Sequence, residues 1–160
     1  MVDDLAVKLG EVLGNRGWTL AVAETTTGGL MSARIVAVPG SSAYYERGVV
    51  AYSKASKIEM LGMDEAAMGE FGAVSVEAAV AMAEGVRKVS GATLGVAETG
   101  IAGPILGRSS KPAGTAFVAL SGPMGSLCES FVFEGDRDAI RDQIAEAALL
   151  LIYNQCLPEV

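Results

Sequence analysis

Histidine is missing altogether from the 160 residues, which removes the commonest general base, the commonest metal ligand and any Ser-His-Asp arrangement. Acid/base chemistry in this chain falls to carboxylates, lysines or tyrosines. Cysteine is nearly as scarce: Cys128 and Cys156 stand 28 positions apart with no CxxC partner, which supports neither a disulfide framework nor a zinc site. Both are expected to pack in the core as small hydrophobes. Long apolar runs are lacking too. The longest nearly apolar stretch, Ile144 to Tyr153, is half of the roughly 20 residues that a bilayer requires, so it predicts a core helix and no membrane partner. The N-terminal MVDDLAVKLGE carries two acids where a signal peptide carries basic residues, which predicts a cytoplasmic protein. Positive charge is in deficit, 12 Lys and Arg against 19 Asp and Glu for a net charge of -7. With no basic cluster to offset that charge, nucleic acid is not expected as a partner.

What is present reads as an alternation of helices and strands over one domain, residues 1–160. Leu5, Leu9, Val12 and Leu13 recur at helical spacing until Gly14 and Gly17. WTLAVA, from Trp18 to Ala23, is short, continuous and apolar, as a strand buried on both faces should be. A helix over Leu30 to Ala37 follows, then a strand at GVVAY (Gly48 to Tyr52) and a short helix capped by Ser53. Ser75 opens the clearest helix, with Glu77 in its first turn and Arg87 and Lys88 in its last, matching the helix dipole. TLGVAE (Thr93 to Glu98) is a third strand; Thr115 to Ser121 and Leu127 to Phe133 form a hairpin across Gly122-Pro123-Met124-Gly125. Asp136 caps a last helix whose stripe is Ile140, Ile144, Ala147 and Leu151. Pro104 to Lys111 carries no periodicity. The predicted fold is a three-layer α/β/α domain with a mixed sheet.

The tetrapeptide VAET occurs twice, at Val22 and again 74 positions later at Val96, each time entering a glycine-bearing turn: TTTGG in one case, TGIAG in the other. In open α/β sheets, strand carboxyl ends and helix N-termini converge on the ligand-binding edge. The N–H groups of Thr27, Gly28 and Gly29, ahead of a helix, suit a phosphate or an oxyanion; the same residues are also what a tight turn with a capped helix requires. Without histidine, a hydroxyl nucleophile needs another activator, and a lysine desolvated into neutrality is the recognised substitute. Lys57, one helical turn beyond Ser53, and Tyr52 lie at the end of a strand, although a solvated helix face is the ordinary role of such a lysine.

Assembled, these residues resemble the CinA C-terminal domain family, the competence/damage-inducible proteins that include the stand-alone PncC-type nicotinamide-nucleotide amidases. AETTTGGL is similar to that family's AESCTGG, and PGSSAYYERGVVAYS to PGSSAYFxxGVVxYS. GAVSVEAAVAMAEG, TGIAGP followed by KPAGT, and FEGDRDAIR find counterparts in the same order. The resemblance implies hydrolysis of the carboxamide of nicotinamide mononucleotide to nicotinate mononucleotide and ammonia, a step of the pyridine nucleotide cycle, with no metal and no organic cofactor. It also implies self-association into a homo-oligomer, and the family's pairing with a larger nucleotide-hydrolysing domain adds a reading as an interaction partner.

Carried over, the family's nucleophilic serine falls on Thr25, its lysine on Lys57 and its nearby tyrosine on Tyr52. Thr25 would attack the amide, neutral Lys57 would accept its proton and return it to ammonia, and Tyr52 would orient the lysine. The TTTGG turn would hold the oxyanion, and the loop bearing Thr99, Gly100 and Gly103 would take the nucleotide phosphate with Arg137 or Arg141. Those two arginines, four apart on one helix face, could equally pair with Asp138. Three departures stand out. Threonine at position 25 adds a methyl that restricts χ1, Glu98 stands where relatives carry a small or apolar residue, and Ile105 to Ser110 replaces a glycine-rich acidic run. They leave a second reading open, a catalytically silent nucleotide-binding or regulatory member of the family.

Overall fold

The structure, a computed structural model describing residues 2–107 and 109–158, has helices on both faces of one mixed sheet. In chain order the elements are α1 (Asp4–Arg16), β1 (Leu20–Glu24), α2 (Leu30–Val36), a 3₁₀ turn (Ser41–Ala43), β2 (Tyr45–Val50), α3 (Lys54–Leu61) and α4 (Glu65–Phe71), then α5 (Val76–Ser90), β3 (Leu94–Gly100), β4 (Thr115–Gly122), β5 (Gly125–Val132) and α6 (Arg137–Cys156). The strand order is β2-β1-β3-β4-β5. β1 runs parallel to both neighbours, whereas β3, β4 and β5 are antiparallel in succession. No helix among the described residues is long and apolar enough to cross a membrane.

Side-chain alternation sorts the strands between two cores of different texture. Leu20 and Val22 of β1, Leu94 and Val96 of β3 and Val118 and Leu120 of β4 face a bulky core with Leu9, Leu13, Ile144, Leu149 and Ile152 from α1 and α6. The alternate residues Ala21, Ala23, Ala97 and Ala119 face α5, whose contacts are Ala79, Met82, Ala83 and Val86. Small residues on both sides let α5 lie close to the sheet. At Gly95 the approach leaves no room at all, since a Cβ there would sit 2.2 Å from the Ala83 carbonyl oxygen.

The caps follow the expected chemistry. Ser53, Ser75 and Asp136 accept from the N–H groups of Ser56, Ala78 and Ala139, each the third helical residue, an arrangement typically worth about 1 kcal/mol. Four expectations need correction. The second strand begins three residues earlier than GVVAY and stops at Val50, because it is an edge strand whose exposed Glu46 and Arg47 disguise it while pairing with β1 continues. Helix α4 was not expected, and it buries only Met68, too little to leave a periodic signal. In the last helix Ala147 is only half-buried whereas Ala145, Ala148 and Leu149 are in the core, so the buried face is broader than the expected stripe. Cys156 is buried, but Cys128, on edge strand β5, is only partly covered.

The repeated tetrapeptide has a geometric explanation. β1 and β3 pair in parallel with Val22 opposite Val96 and Ala23 opposite Ala97, so the two copies lie side by side in register. The likeness extends back to Thr19-Leu20 and Thr93-Leu94, where the N–H of Thr19 donates to the Thr93 hydroxyl and the N–H of Thr93 to the Thr19 hydroxyl, at 3.1 and 3.0 Å. The two strands are neighbours of similar burial between the same two helical layers, and both deliver a glutamate to the same edge of the sheet.

Candidate active site at the strand ends

β1 ends at Glu24, and the chain turns through Thr25 to Gly29 into α2. Gly28 and Gly29 take φ of 59° and 107°, the left-handed region that glycine enters without a steric penalty. This tight turn aims the first N–H groups of α2 back at the strand end, where Glu24 receives them. The Met31 N–H donates to its Oε1 at 2.8 Å, and the Ser32 N–H and hydroxyl donate to its Oε2 at 3.2 and 2.7 Å. Glu98, from the end of β3, takes the other donors: the N–H groups of Thr25 and Thr27 reach its Oε1 at 2.6 and 2.9 Å. Both glutamates are fully buried, which only such a set of charge-matched donors makes tolerable.

These contacts correct one expectation directly. Within the TTTGG turn the N–H groups of Thr25 and Thr27 are engaged by Glu98, so neither is free for an oxyanion. Thr27, Gly28 and Gly29 also lie outside the cleft lining. The Thr27 hydroxyl sits 2.7 Å from Glu24 Oε1 and 2.8 Å from Glu98 Oε1; with one proton for two acceptors, it can serve only one carboxylate at a time. Burial pushes the Glu98 carboxyl above the usual carboxylate range, against the pull of the hydrogen bonds from Thr27 and Thr25.

In front of this network lies a cleft of about 300 Å³ whose lining includes Thr25, Thr26, Tyr52, Lys57, Thr99, Gly100, Gly103 and Arg137, at the small end of the range for small-molecule sites. Lys57 projects into it from α3. It is 4% exposed, and burial pushes its amine down from the ordinary lysine value, with the Glu98 charge opposing. No hydrogen bond joins Lys57 to Thr25 among the described residues. The Thr25 hydroxyl instead donates to the Glu98 carbonyl oxygen at 3.0 Å, and it has Glu98 Oε2 at 3.5 Å and the Thr26 hydroxyl at 3.4 Å. Tyr52 stands at the cleft mouth, 68% exposed, with no hydrogen bond to Lys57 among the described residues.

The remaining expected residues divide between cleft and frame. The Thr99 hydroxyl donates to the Ala73 carbonyl at 2.7 Å, tying the end of β3 to the loop before α5, and Gly100 admits the close approach of Thr115, whose carbonyl oxygen would lie 2.9 Å from an added Cβ. Arg137 donates one N–H to the Gly103 carbonyl at 2.9 Å while lining the cleft. Arg141 does not line it. Its guanidinium donates to the carbonyls of Thr26 and Thr27, both at 3.0 Å, and reaches Asp138 at 3.4 Å, so it clamps the turn from behind. Sequence reasoning missed Thr26, which lines the cleft beside Thr25; the VAET repeat does place Glu24 and Glu98 at two strand ends flanking the site, and both are buried there. Among the described residues no cluster of histidine, cysteine, aspartate or glutamate has the makings of a metal site.

Residues 2–156 match the family model described as the CinA C-terminal domain. A CinA-like protein of Geotalea uraniireducens is 49% identical over 125 residues, 78% of this chain and 30% of that protein. A CinA-like protein of Syntrophus aciditrophicus is 46% identical over 142 residues, 88% of this chain and 34% of that protein. The chain thus spans about a third of the length of these curated relatives. Among solved structures, a competence-damaged protein (CinA) superfamily protein of Klebsiella pneumoniae has the same fold at a TM-score of 0.92, with 29% identity over 96% of both chains. The competence/damage inducible protein CihA of Agrobacterium tumefaciens has it at 0.89, with 35% identity over 96% of both chains.

Proposed function

The chain belongs to the CinA C-terminal domain family, and from that premise we propose that it hydrolyses the carboxamide of nicotinamide mononucleotide, giving nicotinate mononucleotide and ammonia, with Thr25 as nucleophile. The observation that carries the reading is the shared cleft of a buried threonine hydroxyl and a buried lysine whose ammonium form is disfavoured. In a chain without histidine, a hydroxyl and a desolvated lysine in one cleft are a pairing suited to acyl transfer. Thr25 Oγ1 attacks the carboxamide carbon as its proton passes to a neighbouring base, the departing nitrogen gains a proton through Lys57 and leaves as ammonia, and water then hydrolyses the acyl-threonine and restores the hydroxyl. Positioned proton transfer of this kind is worth about 100- to 10,000-fold in rate. Arg137, at the cleft and already oriented by the Gly103 carbonyl, is the arginine that suits the nucleotide phosphate. Tyr52 forms the mouth, where it can cover the pyridine ring.

One observation favours the silent binding module instead: at rest the Thr25 hydroxyl donates to a backbone carbonyl rather than to a base. Incubating the protein with nicotinamide mononucleotide and measuring both ammonia and nicotinate mononucleotide separates the two. Turnover by the wild type that is lost in Thr25→Ala and in Lys57→Ala supports the amidase. No product from the wild type but turnover in Thr25→Ser would identify a silenced site, and undiminished turnover in Lys57→Ala would remove Lys57 from the chemistry.

A further inference from the structure

Thr25 is bound to a single residue three times over. Its N–H donates to Glu98 Oε1 at 2.6 Å, its hydroxyl donates to the Glu98 carbonyl oxygen at 3.0 Å, and the same hydroxyl faces Glu98 Oε2 at 3.5 Å. The two carboxylate oxygens of Glu98 are unequal. Oε1 is surrounded by the N–H groups of Thr25 and Thr27 and the Thr27 hydroxyl, so it is held in place as an acceptor and has little capacity left. Oε2 has the Thr25 hydroxyl before it, and a rotation of that O–H about its C–O bond, away from the backbone carbonyl, aims the proton at Oε2. Lys57, by contrast, makes no hydrogen bond to Thr25 among the described residues, although it shares the cleft.

From this geometry we infer that Glu98 is the general base of the proposed amidase, its Oε2 taking the proton of Thr25 Oγ1 during attack while Lys57 delivers a proton to the departing nitrogen. The inference rests on Thr25 being the nucleophile. Burial raises the carboxyl of Glu98 and lowers the amine of Lys57, which makes the carboxylate a stronger proton acceptor and the ammonium a stronger proton donor in the reacting state. The step balances as follows. The Thr25 Oγ1–carbonyl carbon bond forms and the carbon–nitrogen bond breaks. The hydroxyl proton passes to Glu98 Oε2 and a Lys57 ammonium proton passes to nitrogen, which leaves as ammonia. Glu98 is then a carboxylic acid and Lys57 a free amine. In the second half Lys57 takes a proton from the attacking water, the acyl–oxygen bond breaks, and Glu98 returns its proton to Thr25.

The test measures hydroxyl reactivity apart from the amide substrate. A fluorophosphonate reacts with activated hydroxyls and expels fluoride, so its labelling of Thr25, located by peptide mass spectrometry, reports the base without reporting nicotinamide mononucleotide. Glu98→Gln is the isosteric variant, since its carbonyl oxygen can stand at Oε1 and keep the Thr25 and Thr27 N–H groups satisfied. It should melt no lower than the wild type and label Thr25 on the order of 100-fold more slowly, the loss expected of a missing general base. Should that variant not fold, Glu98→Asp decides, because it keeps the charge but withdraws it by one methylene. It too should slow labelling on the order of 100-fold, as a misplaced catalytic group does. Labelling of either folded variant at the wild-type rate, or a wild type that resists labelling altogether, overturns the role of Glu98; slow labelling only in Lys57→Met would make Lys57 the base. Thr25 labelling that depends on Glu98, without hydrolysis of nicotinamide mononucleotide, leaves Glu98 as the base and refutes the substrate instead.

Discussion

Replacing Arg141 by alanine distinguishes a structural clamp from a phosphate ligand. The guanidinium makes two charge-assisted hydrogen bonds at 3.0 Å to the carbonyls of Thr26 and Thr27, and its side chain is 28% exposed. Hydrogen bonds to charged groups contribute about 1.5 to 3 kcal/mol each. Partial exposure favours the lower figure, because water can replace some of what is lost at the two carbonyls. The substitution should therefore destabilise the fold by roughly 2 to 3 kcal/mol, which for a chain of this size lowers Tm by roughly 5 to 10 °C. Lysine cannot reproduce the two-pronged geometry, so Arg141→Lys should recover less than half of the loss. Asp138→Ala removes only a 3.4 Å pair to a carboxylate that is 87% exposed, and should shift stability by no more than about 0.5 kcal/mol. Urea denaturation monitored by circular dichroism supplies all three values. An Arg141→Ala variant that melts with the wild type but binds nicotinamide mononucleotide at least tenfold more weakly would show that the guanidinium serves the ligand, and would refute the clamp.

Two further predictions concern the sheet edge and the core. The carboxyl of Glu98 is raised by burial, so the native state holds its proton more tightly than the unfolded chain. The associated stability is fully present below the unfolded glutamate value, about 4.3, and is lost as pH rises through the raised native value. Glu98→Gln has no such loss, so its Tm should match the wild type near pH 4 and exceed it by pH 8. A difference that stays constant over that range would mean that Glu98 ionises normally. In the core, Gly95→Ala would bring a Cβ to 2.2 Å from the Ala83 carbonyl and 2.7 Å from the Arg87 Cβ, forcing α5 off the sheet at about 3 kcal/mol. Gly14→Ala in α1 meets nothing within 4 Å and should stabilise by about 0.5 to 1 kcal/mol; thermal melts of the two variants moving in the same direction would refute the close-approach argument.

The sequence by itself determined the helices and their boundaries where the determinants are local. Ser53, Ser75 and Asp136 cap because each side chain needs only the N–H three residues ahead, and periodicity separates α5 from the continuous apolar strand β3 that follows it. It also brought Thr25, Tyr52, Lys57, Thr99 and Arg137 to one cleft through a family pattern that depends on residue order alone. Only the tertiary structure decided what surrounds the Thr25 hydroxyl. Glu98 reaches Thr25 across 73 residues and Arg141 reaches Thr26 across 115, and neither spacing leaves a periodic trace in the chain. The two VAET segments, identical as letters, acquire different roles because one strand turns through TTTGG into a helix that claims Glu24, whereas its neighbour leaves Glu98 facing the Thr25 hydroxyl. Which buried carboxylate meets which donor depends on the register between β1 and β3, and register is set by the packing of two whole sheet faces rather than by any one segment.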